Sequence, residues 1–519
     1  MSDTFEPPTD LLGADLFWWR ETGGLHTLVS LYWKEYAHLD GVILRFVLFD
    51  EGGRPVARWQ AEPVEDQLFL IDSTQPPSAV AAADPVGDGV LAVYVSAPGG
   101  GQRDAYDRLY GLVDWYSDAG SICGLHSDQV LLQAPYLNRF TEIVVEETPD
   151  RHSYLVVLNG PDEQPAGAIS LELRNHLGVT RTARYEPPVP PFTATRLTIR
   201  ELFPDAAVFA DGRQLTVSGT FDSTGLFVRP YVMTEGGVLS GYHGGDVYDD
   251  MLPIPAFFER FLDRGRVNPM FAVHRADLTT SVNLFNSHGH LEEDFSVDAY
   301  LYDEAGGLVA ERLRWLTATR HGRARGDIAD LLPDPTQPFV GHVTLAFTAE
   351  DRPAYPHVLQ ALLEYRTRHG VARVMAWSDE WNSPQRAAIR GRVPYRGYSR
   401  VWCRDPFQTS LCITNCGNER RYADAAPFSA VLLNEAGDRM WVEGVVPPHG
   451  TLVQPVVTLF PDAARFLGSK GVGVVVIESD YDLAEIQVTR HVGTGAVAAE
   501  HFMALTSLRD GERCRPSGS

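Results

Sequence analysis

Three stretches of the sequence set a ring beside a carboxylate at matching places along the chain. They are Gly124-Leu125-His126-Ser127-Asp128, Gly241-Tyr242-His243-Gly244-Gly245-Asp246 and Ala376-Trp377-Ser378-Asp379. A fourth, Ala499-Glu500-His501-Phe502, lacks the following aspartate. A ring that lies on a pyranose face and a carboxylate that accepts hydroxyls make a minimal sugar contact. His126, Asp128, Tyr242, His243, Asp246, Trp377 and Asp379 are therefore the candidate ligand-binding residues. The same nitrogens and oxygens would suit a divalent ion. An aspartate that caps a strand-end turn beside a packed ring gives the same pattern with no ligand at all. No metal is assigned.

Catalysis needs something unrepeated: a nucleophile with its base, or two carboxylates at a set separation. Acidic pairs such as Asp249-Asp250 and Glu292-Glu293 occur, and nothing singles one out. Gly493-Thr494-Gly495-Ala496-Val497-Ala498 and Gly87-Asp88-Gly89-Val90-Leu91-Ala92 fit a dinucleotide fingerprint. That fingerprint needs a helix after the glycines, and β-rich segments follow here. His288-Gly289-His290 with Glu292-Glu293-Asp294 resembles a ligand cluster but reads as a solvated hairpin loop. No catalytic residue and no cofactor is assigned. Tandem copies favour binding or structure over an enzyme, because catalytic sites are usually unique.

The elements that would position these residues follow from internal repetition. Leu202-Phe203-Pro204-Asp205, Leu331-Leu332-Pro333-Asp334 and Leu459-Phe460-Pro461-Asp462 recur at spacings of 129 and 128, and a further step back reaches Pro76. Ahead of each lies a turn: Asp50-Glu51-Gly52-Gly53, Asn175-His176-Leu177-Gly178, Asp303-Glu304-Ala305-Gly306 and Asn434-Glu435-Ala436-Gly437. Ahead of three turns, an apolar strand ends in Asn159, Asn286 or Asn415, with Tyr32-Trp33 in that place in the first copy. Four copies account for the 519 residues. The expected bounds are 14–128, 138–250, 268–384 and 398–505.

Each copy reads as short strands, with period-2 alternation at Phe295-Ser296-Val297-Asp298-Ala299-Tyr300-Leu301. The Asp/Asn…Gly elements are hairpin turns whose glycine supplies φ > 0. The Pro-Asp element opens one helical turn, as in Asp462 to Gly468. Seven or eight strands in ~128 residues predict an all-β chain of four tandem antiparallel β-sandwich, jelly-roll-like domains of one topology. One linker helix is expected at 256–264. Pro- and Tyr-bearing linkers, with Tyr136, Phe257 and Tyr395, are expected to dock on the sandwiches. The Trp clusters, Phe17-Trp18-Trp19 above all, read first as core.

Charge narrows the partners. The chain has 44 Lys+Arg against 68 Asp+Glu, a net charge of −24. Nucleic acid and anionic membrane would both repel it. Lys34 and Lys470 are the two lysines, and neither follows a glycine, so there is no P-loop. The first residues carry acids with no apolar run, no signal peptide is expected, and no segment has the length to insert in a membrane. Five cysteines are too sparse for a disulfide scaffold. A cytoplasmic protein is the expectation.

Val475-Val476-Ile477-Glu478-Ser479-Asp480, followed by Ile486-Gln487-Val488-Thr489-Arg490, resembles the sensory-rhodopsin-transducer family, a small cytosolic β-sandwich with a similar run. The likeness is confined to the fourth copy, and Ala346-Phe347-Thr348-Ala349 departs from it in the third. That family forms a tetramer and works as a non-enzymatic adaptor. The resemblance implies that four linked copies form one pseudo-fourfold body. The function expected is a non-enzymatic scaffold or adaptor that binds a protein partner. A carbohydrate-binding protein that uses the strand-end positions is the alternative, and a carbohydrate-active or metal-dependent enzyme comes third. The sequence leaves the oligomeric state open.

Overall fold

The computed structural model describes residues 5–8, 10–33, 40–64, 67–97, 109, 111–127, 139–221, 230–236, 239–243, 245–246, 269–285, 294–320, 322–347, 360–377, 395–415, 424–481 and 483–504. The chain divides into two compact units, 1–250 and 251–519.

Unit one holds two copies. The first comprises β1 (Leu11–Arg20), β2 (His26–Trp33), β3 (Ile43–Asp50), β4 (Pro55–Ala61), β5 (Gln67–Asp72), β6 (Asp88–Ser96), β7 (Gly111–Tyr116) and β8 (Ile122–Ser127). The second comprises β9 (Arg139–Val145), β10 (His152–Leu158), β11 (Ile169–Arg174), β12 (Thr180–Tyr185), β13 (Ala194–Thr198), β14 (Leu215–Phe221), β15 (Tyr231–Glu235), β16 (Ser240–His243) and a short β17 (Gly245–Asp246). Unit two holds the others. The third copy is β18 (Met270–Arg275), β19 (Leu278–Phe285), β20 (Phe295–Asp303), β21 (Leu308–Ala318), β22 (Arg323–Asp327), β23 (Phe339–Phe347), β24 (Gln360–Arg366) and β25 (Val371–Trp377). The fourth is β26 (Tyr395–Arg404), β27 (Phe407–Asn415), β28 (Ala426–Leu433), β29 (Arg439–Val446), β30 (Thr451–Pro455), β31 (Val472–Ser479), β32 (Leu483–His491), β33 (Val497–His501) and β34 (Met503–Ala504).

All four copies have one strand order. One sheet runs β1-β6-β3-β4, β9-β14-β11-β12, β18-β23-β20-β21 or β26-β31-β28-β29. The other runs β5-β2-β7-β8, β13-β10-β15-β16, β22-β19-β24-β25 or β30-β27-β32-β33. The pairings are antiparallel throughout. Alternation makes the faces: in β20, Phe295, Val297, Ala299 and Leu301 are buried while Ser296, Asp298 and Tyr300 are half-buried.

Each sequence marker has a mechanical reason. The turn side chain folds back on its own loop. Asp50 Oδ1 accepts the N–H groups of Gly52 and Arg54, and Asn175 Oδ1 those of Leu177 and Val179. Asp303 Oδ1 accepts from Gly307, and Asn434 Oδ1 from Ala436 and Asp438. The Pro-Asp markers fall between β13 and β14, β22 and β23, and β30 and β31, and Pro76 falls between β5 and β6. In copies two and four they open helical turns, Ala206–Ala210 and Ala463–Phe466. Asn175 and Asn434 donate from Nδ2 to the Phe209 and Phe466 carbonyls of those turns. Two markers distant in sequence are thus one hydrogen-bonded unit. A short turn also precedes the proline in all three, Ile199–Leu202, Ile328–Leu331 and Val456–Leu459, and copy three differs in that no helical turn follows Pro333.

The strand-end asparagine holds the crossover from the fourth strand to the fifth. Asn159, fully buried, donates to the carbonyls of Asp162, Val189 and Pro190 at 2.8, 3.0 and 2.8 Å. Asn415 does the same to Asp424 and Pro447 at 3.0 and 3.1 Å. Asn286 lies outside the described residues. Asn159→Ala removes the two Nδ2 hydrogens shared among these three carbonyls and the Oδ1 that accepts from Gln164 at 3.1 Å, an expected loss of about 3 kcal/mol. Urea unfolding of the full chain measures it, and a loss under about 1 kcal/mol would show that the crossover holds itself.

Phe17, Trp18, Trp19, Tyr32 and Trp33 are core residues. Within unit one the core of copy one runs on into copy two: Trp18, Trp115 and Leu125 join Tyr154, Val156, Tyr231 and Met233. Within unit two, Val282, Leu363 and Val374 of the third copy join Cys412, Ile486, Val488 and Val497 of the fourth. No described helix is long and apolar enough to cross a membrane. The expected linker helix, Tyr136 and Phe257 lie outside the described residues.

Candidate functional site

The strand-end positions lead to the junction inside each unit. His126 is in β8 and Tyr242 in β16, and both are buried at 3 % exposure. Their strands lie against one another: a Cβ on Gly241 would stand 3.1 Å from Cys123 Sγ. The Tyr242 hydroxyl donates to the Val144 carbonyl at 3.1 Å and accepts the Val144 N–H, tying β16 to β9 across the sandwich. Neither ring offers a stacking face to solvent. Asp246 is in β17, paired with Phe140. Trp377 ends β25, which lies against β33. Asp128, Asp379 and the side chains of His243, Asp246 and Trp377 lie outside the described residues.

A second contact recurs in both units. The residue before the hairpin aspartate, Phe49 or Tyr302, stacks on an aromatic of the next copy, Phe192 or His449. The centroid distances are 4.3 and 5.9 Å. Phe192 and His449 both follow Pro-Pro and both sit at positive φ, 53° and 52°. The hairpin glycine closes on the same elbow: a Cβ on Gly53 would lie 2.0 Å from the Pro191 carbonyl oxygen, and one on Gly306 1.9 Å from that of Pro448. Gly178 and Gly437, in copies two and four, have nothing within 4 Å. Odd copies dock and even copies receive.

A third contact joins the end of the even copy's seventh strand to the first hairpin of the odd copy. In unit one, Glu235 Oε1 accepts from Arg20 at 2.7 Å and from the Tyr154 hydroxyl at 2.6 Å. Burial alone would raise the Glu235 pKa, but Tyr154 and Arg20 outweigh it and hold it below the usual range. Arg20 and Arg196 lie over the Trp18 ring, each 5.0 Å from its centroid. In unit two, Arg490 donates to Asp277 at 2.7 Å.

Other titratable groups are bound into the fold. Glu364 is fully buried between Arg373 at 3.0 Å, Arg366 at 2.7 Å and Arg325 at 3.8 Å. Burial pushes the Cys403 thiol up to about 12 and the Cys412 thiol higher, so neither is a thiolate nucleophile at neutral pH. An open groove in copy four is lined by Ser429, Glu443, Glu478 and Asp480. The sequence reading passed over the Pro-Pro-aromatic elbow. Its signal was present: Pro190-Pro191-Phe192 and Pro447-Pro448-His449 occur only in even copies.

The fold and its junctions define an all-β tandem-repeat protein, built as two pairs of sandwiches that share one order of eight strands. Neither a protein-family model nor a curated protein matches the chain. Among solved structures, a tetra-tandem repeat in the extending region of a large adhesion protein aligns over 91 % of this chain and 93 % of that one, at 12 % identity and a TM-score of 0.10. A likeness of that size carries no functional argument.

Proposed function

We propose that the chain is a non-enzymatic cytosolic scaffold whose working units are two fixed pairs of sandwiches, and that it binds a protein partner. One observation carries this: in each unit the apolar cluster of the odd copy runs on across the junction into the even copy, so each pair presents its surfaces at a set spacing. The hairpin tip of copy two supports a protein as the partner. Leu177 is 73 % exposed and Val179 46 %, beside a helical turn bearing Val208 at 84 %. The same tip in copies one and three sits on a Pro-Pro-aromatic elbow. The partner is therefore a protein with an apolar patch that covers this tip. The cytosolic assignment rests on the buried free thiols of Cys123, Cys403 and Cys412 and on the acidic composition.

The test has two stages. Proteins captured from cytosolic extract on the full chain are purified and titrated singly against wild type and the Leu177→Glu/Val179→Glu variant. Saturable binding that weakens about ten-fold or more in the variant supports the proposal. A pure partner that binds both chains equally places the surface elsewhere and overturns the role of the tip. Saturable binding to a glycan array, lost on Trp377→Ala, would replace the protein-partner reading with carbohydrate binding.

A further inference from the structure

Copy two is joined in sequence to both copy one and copy three. Both neighbours carry the hairpin glycine and the stacking residue that fit an even-copy elbow. Tandem domains of one topology are prone to wrong pairing while they fold. Something must tell the two odd copies apart.

Glu235 and Arg490 occupy equivalent places in the even copies. Each follows a threonine, Thr234 or Thr489, whose hydroxyl meets the hydroxyl of Ser153 or Thr409 at 2.9 or 2.7 Å. Those acceptors are equivalent too, since each also receives the N–H seven residues before it, from Glu146 or Trp402. At this one position copy two is negative and copy four positive. The facing hairpins carry the opposite charges, at different positions: Arg20 ends its strand where copy three has Val273, each N–H donating to a hydroxyl seven residues on, and Asp277 stands in the turn itself.

We propose that this reversed ion pair is a partner-selecting latch, by which each even copy accepts the odd copy that precedes it and repels the other. Copy two on copy three would bring Glu235 to the hairpin that bears Asp277, and copy four on copy one would bring Arg490 to the hairpin that bears Arg20. Like charges in contact are destabilising, as the native opposite pairs are favourable. Glu21 and His26 beside Arg20, Arg275 at 3.5 Å from Asp277, and Arg196 and His152 near Glu235 temper the contrast. Arg20 is buried and Glu235 partly so, while Arg490 and Asp277 are more open, and a discrimination of about five-fold is the scale expected.

The full chain tests it by refolding. Arg20→Asp with Glu235→Arg gives both units the same polarity, so every native pair stays attractive and both wrong pairs become attractive as well. Its yield of monomer on dilution from urea should fall about five-fold, with misassembled oligomer in place of monomer. Adding Asp277→Arg and Arg490→Asp reverses both latches and makes the wrong pairs repulsive again. That fourfold variant should recover the wild-type yield. In about 0.5 M salt the differences should shrink, because the Debye length drops to a few Å. Wild-type yield in the double variant overturns the latch. So does an equal loss in the double and fourfold variants, since the damage would then be local.

Discussion

Gly53→Ala and Gly306→Ala are each expected to cost about 3 kcal/mol, against about 1 kcal/mol for Gly178→Ala and Gly437→Ala. All four glycines have positive φ, between 76° and 87°. The backbone term is therefore shared. They differ in what a methyl group meets: a neighbour's carbonyl oxygen near 2 Å in the odd copies, and open space in the even ones. A rigid Pro-Pro elbow cannot retreat by an ångström without disturbing the aromatic stack beside it. Urea unfolding of the full chain gives the four numbers directly. Equal losses at all four sites would mean that the elbow yields and that docking by the hairpin contributes little.

The second large effect is a pH dependence lodged in unit two. His342 is buried, stacks on Tyr302 at 5.0 Å, and shares a 3.0 Å hydrogen bond with Thr451 of the next copy. His449 lies on the same Tyr302 ring. Burial, with His449 adding to it, lowers the His342 pKa from 6.5 to about 3. The folded state therefore holds this ring neutral where the unfolded chain would protonate it. Its contribution to stability is full above pH 6.5 and is lost as pH falls toward 3. At about pH 4.5 the loss should reach roughly 2.7 kcal/mol relative to neutral pH. The first copy has Val90 at the equivalent place, since Phe49 pairs with Val90 as Tyr302 pairs with His342. His342→Val should therefore remove this acid limb. Thr451 keeps its bond to Thr414 in the variant. Urea midpoints from pH 7 to pH 4.5 compare the two chains. An unchanged slope in His342→Val would assign the acid sensitivity to other groups.

The repeat was legible because its markers act locally. An Asp or Asn that accepts N–H groups two and four residues on, followed by a positive-φ glycine, leaves the same trace wherever the hairpin occurs. That all four copies share one topology followed from four copies of one pattern, while the strand order itself came from the structure. The pairing of copies was not read, although its trace alternates openly: Asp50 and Asp303 at the docking turns, Asn175 and Asn434 at the others. An asparagine can donate to its own helical turn and an aspartate cannot. Treating the four copies as equal hid that difference. The strand-end rings show the other limit. His126 and Tyr242 do stand at strand ends, but their enclosure depends on β8 meeting β16, more than a hundred residues apart.

The alternation also bears on descent. The Pro-Pro-aromatic elbow at Phe192 returns at His449 with the same unusual φ, and copies one and three have nothing like it. An ancestor of four equal sandwiches would have had to acquire the elbow twice. A single duplication of a ready-made pair requires it once, and carries the docking glycine and its elbow along together. On that history the newborn chain held two identical pairs, each able to trade members with the other.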